Sequence, residues 1–439
     1  GVLDYAPGWP RLNRLRATVT FRNRGLRVEA ESGRLVDAEM QGATAWIDDL
    51  EHPVVQIRGR AKGSSAGMWR ALRDSPMGRE LGDDLPELRF TGANTLDLEL
   101  TIPTDARPNR ARGRVGLLDG SLNLANWNVE LDRLRGEVRF TEAGLEARDV
   151  RALLRGEPVR LELDLAGREG RRELRARLRG RLGLGALTGE AAAVLEPYAS
   201  GKSVWEAMLA VPVGRRERRN ESPPFSLDLS SDLRGIAVRL PAPLGKTASE
   251  ARPLRIELRP RARAGLDLTL EYDAGLRAAL ELSGIPNDLR LERGELRLNA
   301  GMARLPDAPG LAVIADLPRW ELELPAATPE SSDFPAVSTG SRSNPVVPAP
   351  ISATGLARVL RGLDARIGEL IVAGQSFPGM TVHATREQDG MVVDLESETL
   401  AGRVMVPDQP APEQPIHAAL RRLYLGRAAA GASDRAGRT

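Results

Sequence analysis

Hydrophobic residues recur at every second position along most of this chain. In "TLDLELTIP", Leu96, Leu98, Leu100 and Ile102 alternate with Asp97, Glu99 and Thr101. "VRLELDL" places Val159, Leu161, Leu163 and Leu165 on one side, and "LDLTLEY" does the same with Leu266, Leu268, Leu270 and Tyr272. Alternation with period 2 predicts strands with one apolar and one wet face. The wet positions are mostly Arg, Asp and Glu. Gly, Pro and Asn interrupt the runs at short intervals, as hairpin turns require.

Two stretches depart from alternation. "SSAGMWRALRDSPMGREL", Ser64 to Leu81, carries Met68, Trp69 and Leu72 near a helical stripe. Leu187 to Gly214 is rich in Ala and predicts two short helices broken at Pro197 to Lys202. A Pro-, Ser-, Ala- and Thr-rich stretch from Pro325 to Pro350 is expected to be a linker, and the Ala/Gly/Arg tail from Gly426 to Thr439 to be disordered. The organisation expected is a β segment over 1–182 with a short helix near 64–81, a helical insert at 183–214 and a second β segment at 215–325. The linker at 326–350, a final β segment at 351–425 and the tail at 426–439 follow.

The alternating units repeat. "GLRVEAESGRL" at Gly25 to Leu35 returns as "GLEARDVRALL" at Gly144 to Leu154 and as "GMVVDLESETL" at Gly390 to Leu400. Leu15, Val19, Phe21, Gly25 and Leu26 match Leu134, Val138, Phe140, Gly144 and Leu145 at one constant spacing of 119. Each unit reads strand, turn at Gly, strand, and "AGLRAALELSG" at Ala274 to Gly284 fits the same scheme.

Composition narrows the architecture. Only 4% of residues are aromatic, against 41% hydrophobic overall. Thick two-sided β cores are normally filled by aromatic rings, which bury the most area each. A one-faced sheet still needs a cover, and the helical stretches are too few to supply it. A sheet that curls on itself and leaves an apolar trough satisfies both conditions. Burying a hydrocarbon chain there is favourable by about 0.8 kcal/mol per CH₂. Strands of about 7 residues would span about 23 Å, and roughly 20 of them would make a trough on the order of 100 Å long.

Charge and motifs exclude more than they add. The 62 basic and 60 acidic residues leave a net charge of +2 in 439 residues, and all the basic residues but Lys62, Lys202 and Lys246 are Arg. Nucleic acid is not expected as a partner, because the clusters at Arg215–Arg219 and Arg259–Arg263 lack interleaved aromatics. There is no cysteine, so no disulfide framework and no thiolate metal site. No apolar run is long enough to span a bilayer, and the start at Gly1, already in strand pattern, suggests a piece of a longer protein. Gly201-Lys202-Ser203 and Gly245-Lys246-Thr247 resemble the end of a phosphate loop. The Gly such a loop needs five residues earlier is replaced by Glu196 and Leu240, so nucleotide is not expected. His52, His383 and His417 have no second ligand at metal-binding spacing, and the carboxylates alternate along solvated faces. No catalytic residue, cofactor or metal is assigned.

Several longer stretches resemble the YhdP family of AsmA-like proteins. They are "YAPGWP" at Tyr5 to Pro10, "YASGKSVWEAMLAVPVG" at Tyr198 to Gly214, "SDLRGIAVRLPAPLGKTASEARPL" at Ser231 to Leu254, and "LESETLAGRVMVP" with "LRRLYL" near the end. The resemblance covers Tyr5 to about Leu425. It implies a mainly β fold: an elongated, curled antiparallel sheet of the repeating β-groove type, with a few short helices. It further implies a periplasmic part of a protein anchored in the inner membrane of Gram-negative bacteria, passing phospholipids to the outer membrane. The membranes would be met through parts of the parent outside this chain, and any periplasmic or outer-membrane protein partner stays unnamed.

The expected function is therefore non-enzymatic lipid transport, with a structural scaffold for outer-membrane assembly as the alternative. The residues expected to line the groove are Val19, Phe21, Leu26, Val28, Leu96, Leu98, Leu100, Ile102, Val159, Leu161, Leu163, Leu165, Leu266, Leu268 and Leu270. They would solvate acyl chains while head groups ride at the open, polar edge.

Overall fold

The computed structural model describes residues 1–3, 11–73, 88–105, 107–124, 128–142, 144–168, 171–189, 192–213, 225–261, 265–273, 275–284, 290–322, 359–372, 374–387, 390–408 and 414–424. Among them, 24 strands form one sheet that curls without closing. The first four are β1 (Leu12–Arg22), β2 (Gly25–Leu35), β3 (Ala38–Ile47) and β4 (Val54–Ser64). Helix α1 (Ser65–Arg73) and the short β5 (Leu88–Thr91) precede β6 (Ala93–Pro103) and β7 (Arg110–Leu124). A long meander follows with β8 (Val129–Thr141), β9 (Gly144–Leu154), β10 (Glu157–Arg168) and β11 (Arg171–Gly183). Helices α2 (Leu184–Thr188) and α3 (Ala192–Leu195) lead into β12 (Ala199–Val213), β13 (Ser226–Ser231) and β14 (Ile236–Val238). Then come β15 (Leu254–Arg261), β16 (Gly265–Tyr272), β17 (Leu276–Ser283), β18 (Arg290–Leu298) and β19 (Gly310–Leu322). The last five are β20 (Leu360–Val372), β21 (Gln375–Glu387), β22 (Gly390–Glu396), β23 (Leu400–Pro407) and β24 (His417–Leu423).

Pairing follows chain order, as expected for hairpins joined by short turns. β5 and β14 are short side branches, on β7 and β12. The ladder is antiparallel except where β19 runs parallel to both β18 and β20. Parallel neighbours need a long connection. The chain has one at 299–309, and another that contains the Pro/Ser-rich stretch. That stretch therefore falls in a connection between two parallel strands, and the sheet itself continues from β19 to β20 without a break. Many strands are longer than the seven residues the alternation suggested; β7 and β12 have 15 each.

The spacing of 119 extends well beyond the matched side chains. β2 and β9 begin and end 119 residues apart, β3 and β10 begin 119 apart, and β4 and β11 end 119 apart, at Ser64 and Gly183. Helices α1 and α2 begin 119 apart, at Ser65 and Leu184. The left-handed residues fall in step too: Arg14 (φ 52°) with Arg133 (φ 51°), and Val36 (φ 56°) with Arg155 (φ 46°). Arg14 and Arg133 lie at register shifts in the β1–β2 and β8–β9 hairpins. A bulge at such a position adds a residue to one strand and increases its local bend. The repeat thus encodes curvature as well as strands.

One expectation on secondary structure changes. The helical insert at 183–214 is helical only as far as Leu195. Ala199–Val213 is β12, paired with β11 along one side and β13 on the other. Alternation of Ser203, Trp205, Ala207, Leu209 and Val211 with Glu206, Met208 and Ala210 decides the matter, because ladder bonds on both sides outweigh a weak helical propensity of Ala. The helix near 64–81 is α1, whose first turn is held by Ser64 Oγ accepting from the Gly67 N–H at 2.9 Å. The remainder of that helix, the linker, the tail, the Arg215–Arg219 cluster and "YAPGWP" lie outside the described residues.

Candidate functional site

The registers align apolar side chains from strand to strand on one face. Ala17, Ala30, Ala43, Gly59, Leu98, Gly113, Phe140, Leu145, Leu165, Leu174 and Val211 are direct neighbours in a row from β1 to β12. Gly113 shows how the row is fitted: a Cβ there would lie 2.4 Å from the ring of its neighbour Phe140. A second row starts at Val150 and Leu161 and runs through Leu178, Ala207, Leu229, Ile256, Leu270 and Ala278. It continues through Leu296, Val313, Leu363, Ala384, Val393 and Val404 to Ala418 on β24. No polar residue interrupts either row. Parallel pairing at β19 preserves the face because paired residues of parallel strands also point the same way.

All fifteen groove positions read from the sequence fall on this face. Leu26, Val28, Leu96, Leu98, Leu100, Ile102, Leu163, Leu266, Leu268 and Leu270 are half-buried. Val19 and Phe21, on the edge strand β1, are exposed at 52% and 71%. Val159, Leu161 and Leu165 are buried. The reason for that difference was not visible in the sequence. α2 and the 233–249 segment enter at the same end of the strands and close a packed cluster. Leu182, Ala186, Trp205, Leu233 and Ile236 surround Val159 and Leu161 there. The Tyr272 hydroxyl donates to the Leu244 carbonyl at 2.9 Å and ties that segment to β16. A second cluster on the same face, around Ile367, Met380 and Leu317, fills β19 to β21.

The opposite face is polar and is built as a ladder of alternating charge. Arg58–Glu99 at 3.3 Å, Arg177–Glu206 at 3.1 Å, Arg319–Glu369 at 3.2 Å and Arg403–Asp394 at 2.8 Å all bridge neighbouring strands. The bond from Arg403 holds Asp394 below the ordinary carboxylate range. His383 sits between Asp364 and Thr385, an order known from hydrolytic triads. Both His383 and Asp364 are more than half exposed, and the row simply continues Asp364, His383, Asp394, Arg403 across four strands. This is the same ladder of cross-strand charge pairs seen at Arg58, Arg177 and Arg319. His52 is exposed beside Asp49, 3.5 Å away.

The two Gly-Lys triplets have structural roles. Lys202 pairs with Glu157 at 3.1 Å. Lys246 is buried, and its ammonium donates to the carbonyls of Leu233 (3.0 Å), Ile236 and Thr247 (2.9 Å). Burial pushes the Lys246 pKa below its ordinary value. Among the described residues no helix is long and apolar enough to cross a membrane.

Comparison with known proteins agrees with the geometry. The model of the YhdP protein family matches residues 1–438. The intermembrane phospholipid transporter YhdP of Escherichia coli (strain K12) is 25% identical over 257 residues, which is 58% of this chain and 20% of that protein. The matched region is thus about a fifth of the relative's length. No solved structure matches. The repeated strand units, the single curled sheet and the match over nearly every residue place this chain in the YhdP family.

Proposed function

We propose that this chain is a section of a non-enzymatic conduit that carries phospholipids between the inner and outer membranes across the periplasm. The observation that supports it most is the unbroken apolar face from β1 to β24, with no second sheet among the described residues to cover it. At about 4.8 Å per strand the ladder is on the order of 100 Å long. That is a path and not a pocket. The acyl chains lie against the half-buried rows, chiefly Leu96 to Ile102, Leu163 and Leu266 to Leu270. Val159 and Leu161 support the floor from within the packed cluster. The head groups stay at the open edge, where water solvates them.

The relative's name, an intermembrane phospholipid transporter, supports the cargo class. The anchor and the contacts with each membrane belong to the parent protein. The three β segments read from sequence act here as one surface.

Leu98→Arg and Leu163→Arg test the reading. A guanidinium in the acyl path costs several kcal/mol to desolvate without a partner. Because both positions are half-buried, the fold should tolerate the change. Phospholipid co-purifying with the protein, quantified by native mass spectrometry, should drop severalfold. Retained phospholipid with an intact fold would refute the assignment. A stoichiometric protein on the same face would favour a scaffold instead.

A further inference from the structure

On the polar face of the second repeat, charge alternation fails. Arg135 stands directly opposite Arg151, Arg151 opposite Arg160, and Arg160 opposite Arg179, across four adjacent strands from β8 to β11. It is the longest row of one sign in the described registers. The left-handed bulge at Arg133 brings a fifth guanidinium to the same place. Two carboxylates answer them: Asp119 pairs with Arg135 at 3.2 Å, and Asp149 pairs with both Arg151 and Arg160 at 3.1 Å. Arg133 and Arg179 have no carboxylate partner among the described residues. The excess is three positive charges. Like charges directly opposite on a sheet destabilise it.

The scaffold does not need the two central arginines, Arg151 and Arg160. The first repeat has the same strands, and 119 residues earlier the corresponding positions are Arg14, Arg16, Ser32, Gln41 and Arg60. Arg60 stands opposite Asp97 there, as Arg179 stands opposite Glu206, so the two repeats part at Ser32 and Gln41 against Arg151 and Arg160. In the second repeat the five guanidiniums surround a concavity of about 660 Å³ that also includes Leu153 and Pro158. Guanidinium forks match phosphate oxygens two at a time. Three strand intervals of about 4.8 Å spread the row over roughly 14 Å, which suits several phosphates better than one.

We infer that this concavity is a binding site for a ligand carrying two or more phosphate groups, on the face opposite the groove and independent of what the groove carries. The shared chemistry is phosphate. Its source is either a soluble oligophosphate or the closely spaced head groups of an anionic lipid surface.

The test uses the whole chain, with R160Q/R179Q as the variant and R58Q as the control, since Arg58 is paired with Glu99 on the same face. Titration with sodium tripolyphosphate probes the soluble source. Flotation with phosphatidylcholine vesicles, with and without phosphatidylglycerol, probes the surface source. Binding to either probe in wild type and R58Q, weakened about tenfold or more in R160Q/R179Q, supports the site, and the probe that binds identifies the source. The ligand-free variant should melt no lower than wild type, because it loses a repulsion while Asp149, released from Arg160, keeps Arg151 as its partner. Binding of neither probe, equal binding by the variant, equal loss in R58Q, or a lower melting temperature of the ligand-free variant would each overturn the proposal.

Discussion

Single residues show where local sequence is ambiguous. Lys246 sits in a Gly-Lys-Thr triplet that suggests a phosphate loop, yet its ammonium closes a knot of three backbone carbonyls beneath the cluster around Ile236. Nothing within a few residues of Lys246 marks it as buried, because two of the carbonyls it reaches, Leu233 and Ile236, come from the turn ten or more residues earlier. Lys246→Ala leaves those carbonyls unpaired at a cost of about 1–3 kcal/mol each where no water replaces the donor. The variant should show a clearly lower denaturation midpoint; an unchanged midpoint would contradict the role. Glu295 gives a pH-dependent case. Burial pushes its pKa up, but bonds from Arg297 (2.6 Å) and the Arg304 N–H (2.9 Å) outweigh this and hold it below 4.5, the ordinary value. A depressed carboxylate stabilises the fold fully above the unfolded-state value, and this is lost as pH falls through the folded-state value. Glu295→Gln should therefore lose stability at neutral pH and show a shallower decline on acidification, measured by urea unfolding from pH 7 to about pH 3. An acid limb as steep as that of wild type would rule this out.

At the scale of elements, the alternating runs were legible because the side-chain period of a strand is two, whatever the neighbours. β6, β10 and β16 appear where "TLDLELTIP", "VRLELDL" and "LDLTLEY" place them. β12 was hidden because its Ala content imitates a helix. The parallel coupling of β19 was hidden too, since pairing order depends on long connections and leaves no local mark. The bulges at Arg14 and Arg133 were invisible side by side with ordinary strand residues, although the spacing of 119 already pointed to equivalent hairpins. Packing differs along the sheet. Ile367 is 2% exposed in the β19–β21 cluster, whereas the β6 leucines are half-buried. Ile367→Ala should cost about 2–5 kcal/mol, and Leu100→Ala markedly less, because a partly open site leaves a smaller cavity. Equal losses in chemical denaturation would show that the β6 rows are sealed as tightly as a closed core.

For the whole molecule, the decisive feature is that the two faces do different things. One carries apolar rows continuous from strand to strand, and the other carries an alternating ladder of ion pairs that keeps it wet. Exposed pairs of this kind contribute about 1 kcal/mol or less each, so they set orientation more than stability. The apolar rows were readable from sequence, as Leu98, Leu163 and Leu268 illustrate. The segment at 233–249 that covers Val159 and Leu161 was not, because its contacts are set by tertiary packing across β8 to β16. The central claim is that hydrocarbon occupies the open stretches of the apolar face. A photoreactive amino acid placed in the protein at Leu98, Leu163 and Leu268, and at the outward neighbours Glu99, Glu162 and Asp267, measures this directly. The account predicts phospholipid crosslinks at the three inward positions and none at the outward ones; crosslinks to protein alone at the inward sites, or equal lipid labelling on both faces, would contradict it.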